Sequence, residues 1–215
     1  MNRRAVVLAI AVLAIGGFTT AAYVYNKAAV NGPAAPVRES NTLVRPHSPV
    51  MGPIDAKVTI VEFFDPSCEA CRAFYPVVKE LLAQYPQDLR VVLRYTPFHK
   101  GSDDAVRILE TARLQNVFEP VLQALLASQP DWAPHDGPQL DKAWAAAGAA
   151  GLDVVSAKQA MMAPEITATL KQDVDDVKAV GITGTPTFFV NGKPLPSFGA
   201  QQLRDLVKAE VADAK

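Results

Sequence analysis

Two cysteines, and only two, occur in this chain of 215 residues, and they stand three positions apart in Cys68-Glu69-Ala70-Cys71. They sit at a switch in local pattern. Val58-Thr59-Ile60-Val61-Glu62-Phe63-Phe64 is almost continuously β-branched and aromatic, as expected of a strand buried on both faces. Asp65-Pro66-Ser67 interrupts it. Behind the cysteines, Phe74, Val77, Val78, Leu81 and Leu82 recur at helical spacing. A second strand is expected over 89–95, Leu-Arg-Val-Val-Leu-Arg-Tyr. Strand, helix, strand at this spacing predicts a right-handed parallel crossover, with the cysteines at the strand-to-helix turn.

That position bears on reactivity. The first turn of a helix carries unpaired backbone N–H groups and a partial positive charge. Both favour a thiolate at Cys68 and lower its pKa below the free-cysteine value of about 8.5. Cys71 lies one turn in, within reach of a mixed disulfide formed at Cys68. A disulfide framework would scatter its cysteines, and a structural zinc site normally takes four ligands. The competing bland reading is a static disulfide or an incidental pair of buried thiols.

Downstream the chain turns helical. Helices are expected over 103–115, 117–128, 140–150 and 165–180, punctuated by Pro130, Pro134 and Pro138 and ended by Gly181. Thr187-Phe188-Phe189-Val190-Asn191-Gly192-Lys193 is a hairpin signal, because Asn-Gly favours a two-residue type I′ turn. An amphipathic helix over 201–212 closes the chain. A simple crossover needs roughly 30 residues, whereas about 90 separate Tyr95 from the hairpin. The excess predicts a helical insertion at about 101–180 in a small α/β fold. Two prolines stand out. Pro76 interrupts the helix behind the cysteines and should kink it, and Pro186, after Thr185, opens a strand where a cis bond would serve a turn.

The N-terminus is organised differently. Met1-Asn2-Arg3-Arg4 is basic and residues 5–25 carry no charge. The core of that stretch has the length of a signal peptide, and the whole is about the 20 residues a membrane helix needs. Cleaved signal and uncleaved anchor both fit. The arginines precede the apolar run, which places the remainder outside the cytoplasm. Residues 26–52, with Pro33, Pro36, Pro46 and Pro49, read as a Pro-rich tether, and residues 53–215 as the folded domain. A net charge of −1 offers no electrostatic reason to expect nucleic acid.

Taken together, Glu62-Phe63-Phe64-Asp65-Pro66-Ser67-Cys68-Glu69-Ala70-Cys71-Arg72-Ala73-Phe74, the kink proline Pro76 and Gly184-Thr185-Pro186-Thr187-Phe188-Phe189-Val190 resemble the DsbA branch of the thioredoxin superfamily. The resemblance covers 57 to the C-terminus. It implies a thioredoxin fold with a helical insertion, an α/β class, and thiol–disulfide exchange without cofactor or metal. It further implies a redox-active Cys68–Cys71 disulfide, with Cys68 as exposed nucleophile and Cys71 as buried resolving thiol. Pro186, in cis, would pack against the pair, and the Thr185 backbone would bind extended substrate by strand addition.

Glu62 shares the strand face of Ile60 and Phe64, so burial should raise its pKa. A catalytic proton-transfer role toward Cys71 competes with a plain ion pair to a lysine. Glu69, between the cysteines, should oppose the Cys68 thiolate. His99 reads chiefly as a loop residue, and His47 and His135 as incidental. Trp132 and Trp144 belong to the core of the insertion. The expected setting is the periplasm, with exported cysteine-containing proteins and a membrane redox partner, and a monomer. An oxidase is favoured over a reductase or isomerase kept reduced by a membrane donor. The alternative of another class is a Cu(I)-binding module using both thiolates.

Overall fold

The computed structural model describes residues 42–214, so the apolar segment 5–25 and the first part of the expected tether lie outside the described residues. Among the described residues, no helix is long and apolar enough to cross a membrane. The elements run β1 (Val50–Met51), β2 (Val58–Phe64), α1 (Glu69–Gln84), β3 (Leu89–Tyr95), α2 (Ser102–Leu114), α3 (Phe118–Ala127) and α4 (Gln129–Trp132). They continue through α5 (Leu140–Ala149), α6 (Val154–Ala160), α7 (Pro164–Val180), β4 (Thr187–Val190), β5 (Lys193–Pro194) and α8 (Ala200–Asp213).

The strands form one sheet in the order β1-β3-β2-β4-β5. β2 and β3 are parallel, Val58 opposite Leu89 through Phe64 opposite Tyr95, and the crossover between them is α1. The other pairings are antiparallel. β2 is therefore paired on both edges and buried at all seven positions. That explains its unbroken apolar run, since neither face meets water.

The two faces have separate cores. Val58, Ile60 and Phe64 pack with Cys71, Phe74, Val78 and Leu81 of α1, with Leu203 and Val207 of α8, and with the helices that follow β3. Val61, Phe63, Val92 and Phe189 pack on the opposite face with Val177 of α7 and with Leu43. The expected insertion thus divides. Helices α2 to α6 build the added layer, whose interior holds Trp132 and Trp144, while α7 is a covering helix of the sheet itself.

Residues 42–52, expected as the end of a tether, are packed structure. Leu43 and Met51 are buried, and β1 pairs with β3. The reason is a charge cluster. Arg94 on β3 is fully buried on the α7 face, and its guanidinium bonds Asp173 (2.8 Å) and Asp176 (2.6 Å) of α7. It also donates to the carbonyls of Thr42 and Leu43. Arg45 adds two bonds to Asp176 (2.8 and 2.7 Å), and His47 meets Asp173 at 2.8 Å. A guanidinium on a buried strand is tolerable only with such pairing. His47, expected to be incidental, is part of this clasp.

The turns follow the sequence chemistry. Asn191 and Gly192 both have positive φ (47° and 76°), as a type I′ turn requires. Gly181 ends α7 in the left-handed region at φ 79°. Helix α6 was not expected. Its signal is Asp153 at the N-cap, whose carboxylate accepts from Val155 and Ser156.

Candidate active site

β2 delivers the chain into the Asp65-Pro66-Ser67 turn, and Cys68 is the N-cap of α1 with extended backbone angles. Cys71 follows in the first turn. Both thiols are free, Cys68 being 6% exposed and Cys71 completely buried. Pro76 lies within α1, where it cannot bond the Arg72 carbonyl. The Thr185–Pro186 bond is cis, and it brings the Thr185 carbonyl to 3.2 Å from the Cys68 sulfur, which donates to it as a thiol. Of the residues that the resemblance places in one site, Cys68 and Cys71 share the first turn of α1 and Thr185 reaches Cys68 through its carbonyl, with Pro186 next to it in the chain.

The two sulfurs have opposite acidities. The Cys68 thiol is pulled down to about 5, first by a hydrogen bond from Cys71, against the opposing effect of burial. The Thr185 side chain and the amides of Ala70 and Cys71 add to the lowering, the amides being unpaired N–H groups of the helix start. Cys71 is pushed far above the ordinary thiol range by burial, the hydrogen bond to Cys68 and the nearby Glu62 charge. At neutral pH the pair is one thiolate and one thiol.

Glu62 lies on the β2 face that holds Ile60 and Phe64, is 3% exposed, and is raised to about 8 by burial and then by the Cys68 charge. Among the described residues, no ion pair joins Glu62 to a lysine, the plain reading that competed with a proton-transfer role. Glu69, expected to oppose the Cys68 thiolate, points into solvent. Its carboxylate is 69% exposed and turns to His135 of the insertion at 3.6 Å. Solvent at that exposed position weakens its effect on Cys68.

Three residues of the site were not assigned to it from the sequence, Asp65 and Gln129 because nothing singled them out and His99 because it reads chiefly as a loop residue. The first is Asp65, completely buried beneath the turn. One carboxylate oxygen accepts from the Ser67 amide (2.8 Å) and Ser102 hydroxyl (2.5 Å). The other accepts from the amides of Phe98 (2.8 Å) and His99 (3.0 Å) and from His99 Nδ1 (2.7 Å). Its own amide points at the Cys71 sulfur, 3.5 Å away. The second is His99 itself, drawn to the turn by this carboxylate. The third is Gln129 of α4, whose side-chain amide donates to the carbonyls of Pro66 (2.8 Å) and Cys68 (3.0 Å). Only the Asp-Pro-Ser turn, where Asp commonly bonds the amide two residues on, hinted at Asp65.

Apolar surface borders the site. Phe198, 62% exposed, stacks on Phe74 at 4.8 Å, and Phe74 meets Phe188 at 5.3 Å. Phe98, 48% exposed, sits beside Asp65 and His99. Among the described residues, no group of three or more His, Cys, Asp and Glu side chains is placed to hold a metal ion.

Comparison with known proteins agrees with this geometry. A family model described as thioredoxin matches residues 45–209. The structure of a thioredoxin-like oxidoreductase from Silicibacter pomeroyi DSS-3 is 32% identical, with a TM-score of 0.69 over 80% of this chain and 96% of that one. BdbD from Bacillus subtilis, in its oxidised form, is 22% identical with a TM-score of 0.71, over 84% of this chain and all of that chain, and so shares the fold. The thioredoxin fold with added helices, as in DsbA-like proteins, is thereby shown. Among curated proteins, the Na(+)/H(+) antiporter NhaA 3 of Salinispora tropica is 33% identical over 151 residues, or 67% of this chain. The chain spans only 22% of that protein's length.

Proposed function

The chain belongs to the thioredoxin family, and from that premise we propose that it is a thiol–disulfide oxidoreductase in which Cys68 exchanges disulfides with partner proteins and Cys71 resolves them. The observation that carries this reading is the division of acidity at the start of α1. Cys68, expected as an exposed nucleophile, is in fact only 6% exposed and is held as a thiolate, and Cys71 is held as a thiol, fully buried behind it. Static disulfides need no such asymmetry.

The favoured direction is oxidation of partners. A substrate thiolate attacks Cys68 of the disulfide, the S–S bond breaks, and Cys71 departs with the electron pair and takes a proton. A second substrate thiolate then attacks the mixed disulfide and releases Cys68 as its stable thiolate. Stabilising the released thiolate favours the reduced protein and makes the disulfide a stronger oxidant. Glu62 is the acid that exchanges the proton with Cys71, being buried on the same side and coupled to it by charge. The substrates are cysteine-containing segments in extended form, laid against the Thr185–Pro186 loop by strand addition and against Phe98 and Phe198. The basic, then apolar, N-terminus supports action in the periplasm, on exported proteins, as a monomer reoxidised by a membrane partner.

The test is the reduction potential of the Cys68–Cys71 pair, equilibrated against glutathione. A value near about −120 mV marks a strong oxidase, and one near about −200 mV or below marks a reductase or isomerase. Absence of any reversible two-electron couple would remove the proposal.

A further inference from the structure

His99 stands on the loop after β3, yet its ring is fixed from β2. A carboxylate can only accept, so the 2.7 Å bond to Asp65 requires a proton on Nδ1. The neutral ring therefore keeps its lone pair on Nε2. Every other partner of the Asp65 side chain is an uncharged donor from Ser67, Phe98, His99 or Ser102. The imidazole is thus the one cationic group this buried carboxylate can acquire. The same residue, Asp65, points its amide at the Cys71 sulfur, so the ring is anchored to the turn that carries the cysteines.

We propose that His99, oriented by Asp65, is the charge partner of the Cys68 thiolate, taking up a proton as the thiolate forms and releasing it as the disulfide forms. The proposal rests on the redox reading of the pair given above. His99 positions charge and does not touch the reacting sulfur. Burial lowers its proton affinity, but the hydrogen bond and charge of Asp65 outweigh this, and the charges of Cys68 and Glu69 add to it, so its pKa is raised. Asp65 joins the ring to the nucleophile's turn, its carboxylate meeting His99 Nδ1 at 2.7 Å and its carbonyl accepting from the Cys68 amide at 3.0 Å; Glu69 follows Cys68, with His135 of the insertion 3.6 Å from it. Lys100, its chain neighbour, is exposed.

The proton balance closes. When a substrate dithiol reduces the Cys68–Cys71 disulfide, the substrate loses two electrons and two protons. Both electrons enter the protein disulfide, whose S–S bond breaks. One proton goes to Cys71, and Cys68 is left as a thiolate. The second proton goes to His99 where it is not already charged, and otherwise to water.

Linkage makes the test reciprocal, because the thiolate must tighten proton binding at His99 by the factor by which imidazolium favours the thiolate. The His99 ring protons are followed by NMR against pH in the full chain, in the dithiol and disulfide forms. The expected result is about five-fold tighter proton binding in the dithiol form, the low end of site–site couplings. Cys68→Ser, which has no thiolate, titrates His99 like the disulfide. His99→Gln, at a 41% exposed side chain, raises the Cys68 thiolate midpoint by the same factor. Equal His99 midpoints in both redox forms would overturn the proposal, even in a protein that exchanges disulfides normally. A protein without any redox couple would instead remove the function on which it rests.

Discussion

The side chain of Gln129 reaches from the helical insertion to the carbonyl of Cys68, 3.0 Å away, and to that of Pro66 at 2.8 Å. Gln129 is 2% exposed, so both bonds are made away from water. The added helices thus hold the turn that carries Cys68.

Gln129→Ala is accordingly expected to act on the site from a distance in sequence of more than 60 residues. It leaves the buried Pro66 carbonyl unpaired, whereas the Cys68 carbonyl keeps its bond from the Arg72 amide. The expected cost is about 1–3 kcal/mol, the penalty of one buried unsatisfied group. Urea denaturation measures the cost, and insulin reduction should slow in parallel. An unchanged rate would mean that the turn holds itself.

The Cys68 thiolate should titrate with a midpoint near about 5, read by its ultraviolet absorbance in the reduced protein. Cys71→Ala removes the leading hydrogen bond that lowers it, so the midpoint rises. The same variant should accumulate mixed disulfides with a cysteine-containing peptide, and Cys68→Ser should form none. Adducts on Cys71 in the Cys68→Ser protein would contradict the burial seen here.

Glu62 gives a pH dependence with a definite sign. Its folded pKa of about 8 exceeds the model-peptide value of 4.5, so between these limits the folded chain holds a proton that the unfolded chain releases. Stability therefore falls as pH rises through that window, at up to about 1.4 kcal/mol per pH unit. Glu62→Gln removes this slope and should be the more stable protein at pH 8 while exchanging disulfides more slowly. Denaturation at pH 5 and pH 8 decides it, and identical slopes in both proteins would discount the buried acid.

Arg94→Leu should cost about 3–5 kcal/mol, because Asp173 and Asp176 lose their buried counter-charge. Arg45→Leu should cost about 1 kcal/mol, since its side chain is a quarter exposed and Asp176 keeps Arg94. Thermal unfolding ranks the two. Limited proteolysis should cut residues 42–48 faster in the first.

Local pattern made the central crossover, the cysteine pair, both marked prolines and the Asn-Gly turn readable, because each depends on neighbours within a few positions. The unread features depend on charges brought together across the fold. Asp65 and His99 are 34 positions apart, and Arg94 and Asp173 are 79 apart. Asp65 looked like a turn residue and Arg94 like an awkward interruption of a strand. His47 and His99 carried no periodic signal at all. The end of the tether was misread for a related reason, since its prolines suggest extended chain whether or not a buried guanidinium waits for its carbonyls.

Pro76 has a mechanical side. Without an N–H at that position, the rung that would run to the Arg72 carbonyl, one turn beyond the Cys68 carbonyl to Arg72 amide bond that closes the first turn of α1, is missing. Each redox cycle must draw two sulfurs from contact into a bond and let them part again. The missing rung acts as an expansion joint one turn behind the pair, where the helix can give at less cost while Val78 and Leu81 stay seated in the core.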